Sequence, residues 1–209
     1  MTAASEEALR ILRSTEHFQW YVVPLLALVV SLYVSEVQKR NWHAVLVGLL
    51  LSAAEFGWEI GNALVLHFTG YAALWTTPGD TAYLILVGIN IEIFLMFSVA
   101  GLILAKALPP DRRESVLGMP NRVVIPVAFA AFCALVEVLL NRVGALVWAY
   151  QYWSWPHVWT VFLGYALPML AVAWAYDRLS LRAKLSALAG WAAADVALWV
   201  LFVDLLEWI

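Results

Sequence analysis

Six stretches, each close to the roughly 20 apolar residues that a helix needs to cross a bilayer, follow one another along this chain, at 19–37, 42–67, 82–106, 123–149, 158–176 and 185–208. Hydrocarbon admits only segments that satisfy their own backbone hydrogen bonds, so runs of this length read as helices. Of the 209 residues, 64% are hydrophobic and 13% charged, far from the soluble norm of roughly 45–50% and about 25%. The expected fold is all-α, a polytopic membrane helix bundle of six transmembrane helices. Residues 1–18 form a surface tail, with a short amphipathic helix over 3–17, and 19–209 form one domain. The apolar segments recur along the whole length, so a cleaved leader does not account for them.

Breaks fall at Gln38–Asn41, Thr76–Asp80 and Pro109–Arg113, with weaker ones at Trp155–His157 and Asp177–Arg178. Lys39, Arg40, Lys106, Arg112, Arg113, Arg122, Arg178, Arg182 and Lys184 fall in or beside the first, third and fifth loops, and the other loops carry no basic residue. The excess of basic residues in cytoplasmic loops predicts that 38–41, 107–122 and 177–184 face the cytoplasm of a multi-pass cell-membrane protein, with both termini outside. Two halves of three helices, 19–106 and 121–209, are then expected to be inverted relative to each other.

The net charge of −3 and the lack of a basic run exclude nucleic acid as a partner. Cys133 is the single cysteine, so no intrachain disulfide forms. His17, His43, His67 and His157 all lie near segment ends, which argues against a His/carboxylate metal centre; no phosphate loop, nucleophile elbow or HExxH pattern occurs. No cofactor is expected. Trp153, Trp155 and Trp159 read as anchors in the headgroup zone.

Function is sought in the polar residues of the apolar segments, because an ionisable group at bilayer depth costs a few kcal/mol and marks a site. Glu55, Glu59 and Asn62 share one face of the second segment, beside Trp58; Glu137, Asn141, Gly144 and Trp148 repeat the spacing in the fourth. The third brings Asn90 and Glu92, the fifth Tyr165 and Pro168, the sixth Asp195 and Trp199. Counted from the membrane faces, nearly all fall between the midplane and the outer leaflet, which predicts one shared cavity. For Asn62 and Asn141, interhelical hydrogen bonding is an equal reading. Arg142 either neutralises Glu137 or snorkels outward; Asp204 and Glu207 sit at the outer end of the last segment and are left out of the site.

Phe56-Gly57-Trp58-Glu59, then Gly70, Trp75 and the stretch Gly88-Ile89-Asn90-Ile91-Glu92, resemble the membrane-embedded lycopene cyclase family, with an echo at Val136-Glu137, Gly144, Trp148, Tyr150 and Gly164 to Pro168. The resemblance covers roughly 56–97 and 136–170. Asn90 stands at the family's proline, Ile93 at its second glutamate, and Met169 and Leu170 follow Pro168 with no acid. Trp58-Glu59 and Asp195 are also similar to the small fungal meroterpenoid cyclases. Both resemblances imply metal-free cyclisation begun by protonating an alkene or epoxide.

Carboxylates sharing a water-poor chamber repel one another, so some carry a proton, and a neutral acid beside an ionised one is a proton donor. Glu59 or Glu92 is the expected donor, Glu137 or Asp195 the terminating base, with Glu55 in the same acidic set. Trp58, Trp148 and Trp199 offer cation–π faces to a carbocation, and Asn62, Asn90, Asn141 and Tyr165 line the substrate site. The expectation is an isoprenoid or carotenoid cyclase or isomerase acting on a membrane-soluble substrate. The alternatives are a hydratase that captures the same cation with water, a small proton-coupled transporter, and a noncatalytic lipid carrier or scaffold.

Overall fold

A computed structural model describes residues 1–16 and 18–209; His17 lies outside the described residues. The protein is mostly helical, with α1 (Ala3–Ile11), α2 (Val22–Gln38), α3 (Trp42–Thr69), α4 (Ile91–Ala107), α5 (Asn121–Arg142), α6 (Val158–Arg178) and α7 (Leu181–Trp199), which runs on as a π-helical segment over Val200–Leu205. By length and composition α3, α5, α6 and α7 with its extension can cross a membrane; α2 and α4 have 17 residues each. Together these establish an all-α, multi-pass membrane protein.

Polar side chains start several helices where the apolar runs begin. Asn41 caps α3, Asn90 caps α4 and Ser180 caps α7, each accepting a backbone N–H three residues on. At their far ends α3 and α5 both give way to a left-handed glycine, Gly70 (φ 59°) and Gly144 (φ 76°), a conformation that costs a side-chain-bearing residue and not glycine.

Two apolar stretches depart from the expected helices. Residues 82–90 are not the first turns of a helix: β2 (Leu84–Leu86) and β3 (Ile89–Asn90) form a hairpin turned at Val87-Gly88, and α4 starts only at Ile91. Nor does the fourth segment reach 149, since α5 stops at Arg142 and β6 (Val147–Trp148) pairs antiparallel with β1 (Trp75–Thr76). Residues 82–90 are mostly buried and Val147–Trp148 half-buried, with backbone groups paired within the β2–β3 hairpin and between β6 and β1, as non-helical backbone in a membrane protein requires. A further hairpin, β4 (Ser115–Val116) with β5 (Met119–Pro120), precedes α5. The N-terminal helix is shorter than 3–17, ending at Ile11.

Contacts fix the helix directions. Gly48 near the start of α3 meets Gly101 and Leu102 near the end of α4. Arg122 at the start of α5 pairs with Asp177 at the end of α6 (2.8 Å), and His43 at the start of α3 packs on Tyr176 near the end of α6. The hairpins α3–α4 and α5–α6 therefore run in the same sense, and the sequence echo relates these two helical hairpins. The constraint is the pairing of β1 with β6, which brings the loop after α3 beside the loop after α5.

One end of the bundle carries most of the basic residues. There Glu36, 2% exposed, binds Lys106 (2.8 Å), Lys39 (3.0 Å) and Asn41 (2.9 Å), tying α2 to α4. Lys184, fully buried, donates to the Tyr176 and Leu179 carbonyls and approaches His43 Nδ1 (2.7 Å). At the opposite end, α1 lies across the loops and Arg13 donates to the Ile209 carbonyl (3.0 Å), so both chain termini sit at that end.

At the α3–α4 crossing a Cβ on Gly101 would come within 3.0 Å of Gly48 Cα. Gly101→Val is expected to lower the stability of the purified protein by about 1–3 kcal/mol through overpacking, read as a lower unfolding midpoint in detergent; an unchanged midpoint would contradict this packing.

Candidate functional site

The hairpins α3–α4 and α5–α6, with α2 beside them, enclose a cavity of about 950 Å³ whose walls are almost entirely apolar. Leu51, Ile93, Phe97, Phe129, Val136 and Val161 are among the side chains that form it. Trp75 and Trp153 stack, with ring centroids 5.3 Å apart, at the end of the cavity near the β1–β6 pair, and Gly88 lies there too. Leu28, Trp58, Phe132 and Leu167 line the cavity yet are more than half exposed, so it opens sideways between helices at the surface of the bundle.

Three carboxyls face this space: Glu55 and Glu59 of α3 and Glu137 of α5. They lie close enough for their charges to repel. Each is held differently. Glu59, 1% exposed, accepts from Trp75 Nε1 (2.9 Å) and from Asn62 Nδ2 (3.2 Å). Glu137 accepts from Trp148 Nε1 (2.7 Å) and from the Tyr165 hydroxyl (2.5 Å). Glu55, one turn before Glu59, has no hydrogen-bond or ion-pair partner among the described residues, and its carboxyl is free to meet whatever enters the cavity.

The asparagines act behind the carboxyls. Asn62 accepts from Leu74 N (2.8 Å) and donates to the Trp75 carbonyl (3.0 Å), and Asn141 donates to the Leu146 carbonyl (3.0 Å). Each fastens the loop that follows its own helix. Gly88 presses on the same cluster: a Cβ there would overlap Asn62 Nδ2 and come within 2.5 Å of Glu59 Oε2 and 2.9 Å of Trp75 Nε1.

Of the residues predicted from the sequence, Glu55, Glu59, Glu137, Trp58 and Tyr165 meet at the cavity, with Asn62 and Trp148 bonded to its acids. Others do not join them. Glu92 lies outside the cavity lining, at the start of α4, accepting from the Tyr21 hydroxyl, Thr81 Oγ1 (2.8 Å) and Ala82 N (2.7 Å). The late start of α4 puts Glu92 in the first turn of the helix, where it binds the preceding loop rather than facing the cavity. Asn90 is spent on the N–H of Ile93 (2.9 Å). Asp195 is buried against Gly57 on α3 without lining the cavity, and Trp199 stacks on Phe56 (5.9 Å). The structure thus does not bring Asp195 and Trp199 together with the cavity acids. Arg142 is exposed and pairs with no carboxylate among the described residues.

Sequence reasoning missed the two tryptophans that close one end of the cavity. Trp153 reads as a lipid anchor but turns inward onto Trp75, whereas Trp155 and Trp159 are exposed as anchors should be. Among the described residues no group of three His, Cys, Asp or Glu side chains is placed to hold a metal ion.

Fold and site together define a polytopic helical membrane protein with several carboxyls gathered on an internal cavity. The chain belongs to a family described as an uncharacterized membrane protein family, whose model matches residues 2–204. A protein of Archaeoglobus fulgidus, itself described only as uncharacterized, is 43% identical over 209 residues, covering 100% of this chain and 99% of that one. No solved structure matches.

Gly88 and Gly61 form a matched test of the cluster. Gly88→Val is expected to lower stability by about 1–3 kcal/mol as the side chain collides with Glu59 and Asn62. Gly61, in the interior of α3 with nothing within 4 Å of a Cβ, is expected to accept Ala with a gain of roughly 0.5–1 kcal/mol. Thermal unfolding of both variants measures the contrast, and equal behaviour would contradict the close approach.

Proposed function

We propose that this protein is an integral membrane enzyme that protonates an alkene or epoxide of a bilayer-dissolved isoprenoid, of terpene or carotenoid type. The cation formed closes a ring or shifts a double bond, with no metal, cofactor or diphosphate leaving group. The observation that carries this reading is the meeting of Glu55, Glu59 and Glu137, from two helices, on one apolar cavity of about 950 Å³. That volume lies at the upper end of the range for small-molecule sites, about 300–1,000 Å³.

In water an alkyl cation is captured by solvent at once, so the chemistry needs an acid in a dry pocket. Glu55 is the proposed donor because its carboxyl is unengaged, whereas Glu59 and Glu137 already accept two hydrogen bonds each. Its proton adds to one carbon of the double bond; electrons of a second double bond close the ring onto the cation. Glu137 takes a proton from the carbon beside the new cationic centre, restoring a double bond, and returns it to Glu55, so product and substrate have equal mass. The ring faces of Trp58 and Trp153, which line the cavity, stabilise the cation without trapping it.

In this reading α2 to α7 all cross the membrane, loops 38–41, 107–122 and 177–184 face the cytoplasm and both termini lie outside. The resemblance to lycopene cyclases supports the reading at Glu59 and Glu137, while Glu55 takes the part expected of Glu92.

Hydration is the second reading, favoured by the same Glu55: a carboxyl with no hydrogen-bond or ion-pair partner among the described residues is a place to hold a water that captures the cation. The product would then be heavier by one water. A proton-coupled carrier, in contrast, would move an unaltered solute into proteoliposomes under a proton gradient.

Lipid extracts of a host expressing the wild type or the Glu55→Gln, Glu59→Gln or Glu137→Gln variant test the proposal. Loss of product by roughly 100-fold or more is expected for Glu55→Gln, the usual contribution of a general acid. Glu92→Gln is expected to lower the unfolding temperature and retain turnover. Full turnover in all three cavity variants would end the proposal.

A further inference from the structure

We infer that Trp75 and Trp148 are positioning residues of this reaction: the paired strands β1 and β6 aim their indole N–H groups so that Glu59 and Glu137 are held as a matched pair at a fixed separation. The inference rests on the proposed function for its consequence in turnover, and on geometry alone for the arrangement.

Each hairpin supplies the same parts in the same order. A helix carries the acid and, one turn on, an asparagine; after the helix ends, the chain turns back and a tryptophan reaches the acid. Trp75 Nε1 donates to Glu59 over 2.9 Å and Trp148 Nε1 to Glu137 over 2.7 Å. The two tryptophans are also direct partners in the β1–β6 ladder, followed by Thr76 with Val147. Asn62 grips the backbone at Leu74 and Trp75, and Asn141 grips it at Leu146, so each strand is tied to the helix that bears its acid. The backbone that joins the two tryptophans thereby joins the two carboxyls.

Packing alone does not account for this. A buried indole N–H needs some acceptor, but a backbone carbonyl would serve, and a phenylalanine would fill similar space with no such need. Here both indoles do so, from loops far apart in sequence, and the Trp75 indole is further confined by Gly88 and by the stacked Trp153. Because the indoles act through the acids, their loss is expected to alter the chemical step and leave binding of an apolar chain to the cavity walls intact.

The test is Trp75→Phe and Trp148→Phe in the full-length protein in its membrane, each assayed for kcat and KM, with infrared spectroscopy of the carboxyl stretching bands of the purified proteins. The expected result is a fall in kcat of about 100-fold, the scale of a catalytic group displaced by an ångström, with KM within about threefold of wild type by the same uniform-binding logic. A shift of the carboxyl band in each variant is expected as well. Where circular dichroism finds a Phe variant misfolded, 3-benzothienylalanine at the same position, which retains the ring shape and replaces N–H by sulfur, gives the same readings. Unchanged kcat in both variants, or an equal loss through KM, would overturn the inference. If the wild type itself converts no isoprenoid, the proposed function fails, and the infrared reading still decides the positioning: unshifted carboxyl bands overturn it.

Discussion

A carboxyl group in the interior of a membrane helix bundle costs a few kcal/mol, and proteins retain one only when something nearby offsets that cost or function requires it. Three such groups on one cavity multiply the difficulty, since their charges also repel. Much of this fold can be read as its consequence. The chain leaves α3, bends back with Trp75 and lays the Gly88 hairpin against Glu59; it leaves α5 and brings Trp148 to Glu137. The loop after α3 is largely buried and β6 of the loop after α5 half-buried, and the β1–β6 ladder pairs backbone groups of both.

Glu55 receives no such support. It stands one turn from Glu59, on the same face of α3, with no hydrogen-bond or ion-pair partner among the described residues. The contrast within a single helix turn separates a carboxyl that is held from one that is available, which is the division of labour that proton transfer requires. The sideways opening past Leu28, Phe132 and Leu167 gives a bilayer-dissolved chain a route that never crosses water.

The helical segments were legible because apolar runs of membrane length have few other outcomes, and the spacing of Glu55, Glu59 and Asn62 placed them on one face. Residues 82–90 were not legible as a hairpin: a buried hairpin and a buried helix present the same unbroken apolar run. That one ambiguity also misplaced Asn90, which caps α4, and Glu92, which stands in its first turn and binds Thr81 and Ala82 of the preceding loop. Asp195 has the depth expected of it but faces Gly57 across α3, a matter of helix rotation that hydrophobicity spread around α7 leaves open. Trp153 was hidden among tryptophans that do sit at the surface, because composition near a segment end does not say which ring turns inward.

The proposed reaction requires a free carboxyl on α3 that faces a chamber reached from the lipid. The most direct measurement is reaction of intact membranes with the lipid-soluble reagent dicyclohexylcarbodiimide, which couples to protonated carboxyls, followed by mass spectrometry of the peptides. The account predicts modification at Glu55, slowed when a long-chain isoprenoid hydrocarbon is added beforehand. An unmodified Glu55, or a modification indifferent to such a chain, would contradict it.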